Sequence, residues 1–186
     1  MSKDYQAAKS FAQKNLNNII KQMPQNLAAR EDNIFQNIKI SDESLLDKLK
    51  QIYILLDDLY SFLRKYVPCK MGCSYCCHIA VSISSLEAEY IKKQTNRKLP
   101  PNNQVTEFFG TPCPFLDNNN CSIYLYRPFV CRRHHALFGD PKWCSLDLCG
   151  KYKFPQVRFT EVERSYQYIV MASGSSLFDI RQLFQR

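Results

Sequence analysis

The sequence predicts a mainly α protein whose helices pack around a small, loop-rich cysteine module, with little β-structure beyond a short hairpin. Three observations lead there. The first 67 residues contain no Gly, and their apolar residues recur at three- and four-residue spacing, the period of one helix face. All nine cysteines fall between Cys69 and Cys149, where Pro, Gly and Asn break the pattern into short pieces. With 45% hydrophobic and 23% charged residues and only 5 Gly and 9 Pro, the chain can bury a core and is neither collagen-like nor low in complexity.

Taken in order, Phe11, Leu16, Ile19 and Ile20 mark a first helix that stops near Pro24. Leu45, Leu46, Leu49, Ile52, Tyr53, Leu56, Leu59, Tyr60 and Leu63 mark a longer one, entered through Ser41, Asp42 and Glu43, where acidic groups suit the helix dipole. Pro68 closes this part. Residues 79–84 alternate as a short strand, and Ser84 with Glu87 has the spacing of a capping box for a helix to about Arg97. Leu99, Pro100, Pro101 and the Asn pair that follows read as a loop. Two short strands flank the turn Asp117–Asn120. Thr160 and Glu163 have the spacing of a second capping box, before a helix to about Ala172, and Leu177–Phe184 reads as a last short helix. At 186 residues one core is expected, organised as a helical segment (1–67), a cysteine-cluster metal-binding domain (68–154) and a helical segment packing on the same core (155–186).

The longest apolar runs, at 52–56 and 168–172, fall far short of the roughly 20 residues that span a bilayer. The first thirty residues carry charges and amides every few positions, unlike a secretory signal, so a cytoplasmic protein without membrane contact is expected. In that reducing compartment clustered cysteines point to metal or redox chemistry rather than to disulfides. The net charge of +8 suggests an anionic partner such as nucleic acid. That tally counts cysteines as neutral, however, and metal-bound thiolates would cancel much of it. No finger spacing accompanies the charge, which tells against the alternative of a zinc-dependent nucleic-acid-binding module.

The segment CKMGCSYCC places Cys69, Cys73, Cys76 and Cys77 at i, i+4, i+7 and i+8. In a helix these lie within about 100° of one another; a tight loop around Gly72 concentrates them equally well. Four thiolates so close repel unless a cation lies among them, and zinc and iron, including iron–sulfur iron, are the usual partners of such a set. Adjacent Cys76 and Cys77 cannot easily face one ion without strain, which favours two metals or a cluster; a single ion survives if Cys77 turns into the core. His78, His134 and His135 are read as surface or supporting groups, since sulfur is in surplus. Arg127, Arg132 and Arg133 are read as bonding carbonyls or offsetting thiolate charge, and Tyr124, Tyr126, Phe115 and Phe129 as shielding the metal from water.

This segment, followed by CPFLDNNNCSIYLYRPFVCR, resembles the YkgJ-like or CxxCxxCC cysteine-cluster family, described as zinc- or iron-chelating domains. The resemblance spans roughly residues 69–133 and rests on two separated motifs in the same order. It implies metal ligands at Cys69, Cys73, Cys76, Cys77, Cys113, Cys121 and Cys131, with Cys144 as the eighth and Cys149 as its substitute. A cytosolic protein chelating zinc or iron, or holding an iron–sulfur cluster, is the function implied. The spacing Cys69-x3-Cys73-x2-Cys76 is also that of enzymes that use S-adenosylmethionine at an iron–sulfur cluster, and some longer relatives are lysine methylases. Against that alternative, Ser74 stands where those enzymes carry an aromatic residue, and the chain has too few alternating strands and helices for their partial barrel. No Walker loop, nucleophile elbow, zincin motif or dinucleotide fingerprint is present.

Overall fold

The computed structural model describes residues 2–97 and 108–184. Among them lie seven α-helices and two short antiparallel strand pairs, which makes the protein mainly α with little β. Among the described residues no helix is long and apolar enough to cross a membrane. The expected loop at Leu99–Asn103 lies outside the described residues.

Helix α1 (Lys3–Gln22) starts at Ser2, whose hydroxyl accepts the Tyr5 N–H, and buries Tyr5, Ala12, Asn15 and Ile19. Phe11 and Ile20, expected in the buried stripe, are instead exposed. The docked face was chosen by its partners: Tyr5 packs on Trp143, Tyr152 and Phe154. Asn15 donates from one amide nitrogen to the carbonyls of Tyr66, at 2.8 Å, and Leu137, at 2.9 Å.

Past Pro24 the chain forms a further helix, α2 (Gln25–Ile40), distinct from the two whose apolar stripes stand out in the sequence. Its Leu27, Ile34 and Ile38 are buried, and it packs against α3 (Leu45–Leu63) and α6 (Thr160–Ala172). Because Ser41 closes α2 by donating its backbone N–H to Asn37, α3 is capped three residues later than expected, by Ser44. Helix α3 is the spine of the molecule, with Leu49, Ile52, Leu56, Leu59 and Leu63 almost wholly buried.

Strand β1 (Ser82–Ser84) leads into α4 (Ser85–Thr95) through the expected capping box of Ser84 and Glu87. The Glu87 carboxylate, fully buried, also accepts from Tyr53 Oη of α3, the Phe129 N–H of α5 (Phe129–Arg133) and Tyr166 Oη of α6. One carboxylate thus joins four helices, with every donor contact a charge-assisted hydrogen bond.

Strands β2 (Leu116–Asp117) and β3 (Asn120–Cys121) form the expected hairpin, registered Leu116 to Cys121 and Asp117 to Asn120. Asn118 and Asn119 take φ of +46° and +62°, the left-handed conformation that two-residue hairpin turns demand and Asn tolerates.

Two expectations near the C-terminus need correction. The Thr160–Glu163 capping box does not form; Glu31 of α2 reaches over to accept the Glu161 N–H at 2.9 Å, while Glu163 pairs with Arg133 and Arg158. Leu177–Phe184 is not one helix: Leu177–Asp179 is strand β4, paired with β1 in the register Ser82 to Asp179, and only α7 (Ile180–Leu183) is helical. Backbone pairing with β1 outweighed the local helical pattern. The four strands form two separate two-stranded sheets, so no parallel barrel exists among the described residues.

Candidate metal centre

The cysteines arrive from five places. The segment 69–77 is a loop, not a helix: Cys73 N–H turns back to the Lys70 carbonyl at 3.0 Å through Gly72 at φ +88°, and a 3₁₀ turn over Tyr75–His78 carries Cys76 and Cys77. A side chain at 72 would meet nothing closer than 3.8 Å, so the glycine is there for its backbone conformation. Cys113 precedes the hairpin and is tied to the loop by its N–H to the Cys77 carbonyl at 2.7 Å. Cys121 lies on β3, Cys131 on α5, and Cys144 ends the 3₁₀ turn Pro141–Cys144.

These elements bring all eight expected ligands to one cavity. Cys69, Cys73, Cys76, Cys77, Cys113, Cys121, Cys131 and Cys144 line a space of about 80 Å³, whereas Cys149 lies in the wall of a neighbouring cavity. That volume is several times what one water-sized body needs. All nine cysteines are free thiols. Among the described residues no three His, Cys, Asp or Glu side chains are arranged to hold an ion as they stand; the thiols line a shared space rather than converge on one point. Convergence of this kind is normally completed by the metal, whose binding and local folding are one free energy.

The electrostatics divide the cysteines into two groups that meet at Cys76. Burial pushes the Cys131 thiol well up, and Cys76, Cys113 and Cys121 push it further. Burial likewise raises Cys144, to about 12, with Cys69, Cys76 and Cys73 adding to it. Cys77 is raised first by the hydrogen bond it donates to Cys76, then by burial and by Cys76, Cys113 and Cys121. That donated bond lowers Cys76 to about 7, and Arg127 helps, so Cys76 is the thiol readiest to ionise. So the charges of Cys77, Cys113, Cys121 and Cys131 are felt mainly among themselves, and those of Cys69, Cys73 and Cys144 among themselves, with Cys149 also acting on Cys144.

Several sulfurs already meet backbone donors. Against the upward push of burial, N–H groups of Ala136, Tyr75, Phe115 and Ile123 donate to Cys69, Cys73, Cys113 and Cys121 respectively. Three of these donors lie two residues after their cysteine, in turns that aim an N–H at the sulfur and favour its anion. A set of eight thiols, Cys113 buried and the rest half-buried, whose anions would repel one another, with N–H donors at four sulfurs and the Arg127 charge nearby, fits a soft or borderline cation.

The arginines separate by role. Arg127 lines the cavity, stacks on Tyr124 with its guanidinium carbon 3.6 Å from the ring centroid, and donates to the Tyr124 carbonyl at 2.9 Å. It both ties the loop and favours thiolate, as expected. Arg132 is buried and spends its donors on the Arg127 and Leu125 carbonyls and on Asp57. Arg133 pairs with Glu163 and is exposed. The shielding role expected of Phe115 and Phe129 fits their burial, Phe115 against Phe184 and Phe129 stacked on Tyr166 at 4.0 Å.

A group that sequence reasoning missed is Arg181. All three of its guanidinium nitrogens are engaged: Nη1 meets both carboxylate oxygens of Asp179, Nε donates to the Thr111 carbonyl, and Nη2 to the carbonyls of Cys77 and Ile79. It clamps the loop of Cys77 to that of Cys113 from the far end of the chain. Only its charge and its place near an apparent helix were visible in the sequence. Tyr60 was placed in the apolar stripe of α3, yet its hydroxyl donates to the Cys69 carbonyl at 2.7 Å. His135 is not a surface group but is buried.

Residues 68–164, just over half of the chain, match the model of the CxxCxxCC family, "Putative zinc- or iron-chelating domain". The chain belongs to the CxxCxxCC family. No curated protein and no solved structure matches it. The matched stretch contains all nine cysteines, while α1, α2, α3 and the Arg181 clamp lie outside it.

Proposed function

We propose that this CxxCxxCC protein is a cytosolic chelator that holds zinc or iron in a polynuclear centre. Its ligands on this reading are Cys69, Cys73, Cys76, Cys77, Cys113, Cys121, Cys131 and Cys144. The observation that carries it is the meeting of eight cysteines from five segments at one cavity, in a chain whose family is described as chelating zinc or iron. Division into two groups around Cys76 supports two metal positions or a cluster over one ion, because eight sulfurs exceed one tetrahedral shell.

When bound, the metal supplies the positive charge that lets these thiols ionise together. The chain's own part is to move protons and hold geometry. Cys76 ionises first; Arg127 and the backbone N–H donors stabilise negative sulfur; Arg181 and Asn15 hold the loops that bear the ligands. Thiol-rich chelation also needs a reducing compartment, which the cytosol provides.

Metal analysis with an ultraviolet–visible spectrum, on full-length protein purified anaerobically from cells supplied with both metals, tests the reading. Colourless protein with zinc identifies a zinc centre, and broad absorbance near roughly 400 nm with iron and labile sulfide identifies a cluster. Protein containing neither metal would refute it.

A further inference from the structure

Beside the cysteine-lined cavity lies a larger one of about 390 Å³. Cys76, His134, His135 and Cys144 belong to the walls of both, so these four residues form the partition between them. His135 differs from the rest of that partition. It is 8% exposed, and its Nε2 is buried without a hydrogen-bond partner. A buried polar nitrogen left in that state is destabilising, so its position points to a partner that the chain itself does not supply.

The other ring nitrogen decides what kind of partner. Nδ1 lies 3.0 Å from the Arg133 carbonyl oxygen, which can only accept, so Nδ1 carries the proton and Nε2 presents a lone pair. A ring N–H anchored on a backbone carbonyl with the opposite lone pair free is the usual preparation of a metal-ligating histidine. Two contacts hold the imidazole near Cys69. Tyr60 stacks on it, ring centroids 5.0 Å apart, while donating its hydroxyl to the Cys69 carbonyl. The next residue, Ala136, donates its N–H to the Cys69 sulfur.

The geometry points to His135 Nε2 as a nitrogen ligand to the metal, acting with Cys144 of the partition and with the neighbouring Cys69. This rests on the chelation reading and adds a donor to it. The two sides of the centre then differ in kind: Cys77, Cys113, Cys121 and Cys131 offer sulfur alone, and the partition side offers sulfur with a neutral imidazole. An ion on the mixed side carries one negative charge less from its ligands than one held by thiolates throughout.

X-ray absorption at the zinc edge tests the assignment on the full chain loaded anaerobically with Zn²⁺, compared with His135→Gln and His134→Gln. The wild type is expected to show a mixed shell, nitrogen at about 2.0–2.1 Å beside sulfur at about 2.3 Å, with the outer scattering of an imidazole. His134→Gln keeps the imidazole signal and His135→Gln loses it. The wild-type spectrum stands even if a variant fails to fold. A sulfur-only shell in the wild type overturns the assignment and leaves chelation intact, Nε2 then being met by water; loss of the imidazole signal in His134→Gln with its retention in His135→Gln overturns it as well. A chain that binds neither zinc nor iron removes the chelation reading and this inference with it.

Discussion

Replacing Arg181 by Leu removes a buried cation whose every donor is committed. Arg181 and Asp179 are both nearly buried, at 6% and 9% side-chain exposure, and their oxygen–nitrogen distance is 2.9 Å. Breaking a buried pair from one side typically costs about 3–5 kcal/mol, because the remaining charge is left without its counterion. Details of this site place the loss toward the lower end. Asp179 keeps two backbone donors, Val81 N–H at 2.8 Å and Arg181 N–H at 2.9 Å, and the Cys77 carbonyl keeps Cys113 N–H. A loss of about 3 kcal/mol follows, a large share of the roughly 5–15 kcal/mol that holds a domain folded. Urea denaturation of the metal-free protein measures it directly. Metal affinity should fall with it, since the clamp sets the spacing of the Cys77 and Cys113 loops. Metal-free Arg181→Leu within about 1 kcal/mol of the wild type would refute the clamp.

Further outcomes follow from the same structure. Burial holds Cys113 at about 11 and Cys144 at about 12, above the roughly 8.5 of an unfolded thiol, so the folded metal-free state keeps protons that the unfolded state releases. The contribution of these two thiols to stability is therefore full below about pH 8.5 and is lost as pH rises toward 11–12, whereas metal-loaded protein, its sulfurs already ionised, should be flat over that window; thermal unfolding against pH checks both. Cys113→Ser or Cys131→Ser should lower metal content and loaded-state stability together, while Cys149→Ser should leave metal content unchanged, as counted by elemental analysis. Glu87→Gln offers one oxygen and an amide to a site full of donors, and should cost about 2–4 kcal/mol by denaturation with metal content per folded molecule retained. Gly72→Ala should cost about 1–2 kcal/mol from backbone strain alone, because a Cβ there has room.

Where the local signal was strong, the sequence was enough to read the structure. The leucine stripe of α3, the Ser84–Glu87 box and the Asn turn between β2 and β3 all formed, since each rests on contacts within a few residues. Failures came where two local options were close in energy and a distant partner chose between them. Thr160 lost its capping role to Glu31, the last segment gave three residues to a strand against β1, and Phe11 lost its place in the core to Tyr5, which had an aromatic cluster to meet.

For the site, the division is the same. Cysteine identity and order point by themselves to a soft-metal donor set, because four thiolates within nine residues repel one another unless a cation lies among them. That eight sulfurs line one cavity while Cys149 lines the neighbouring one, that Arg181 closes the loops and that His135 buries an unpartnered nitrogen were decided by tertiary structure alone. Spacing along a chain constrains neighbours within a turn or two; the meeting of residues 69, 135 and 181 depends on how α1, α3 and the β1–β4 pair pack, and that packing is a property of the whole core.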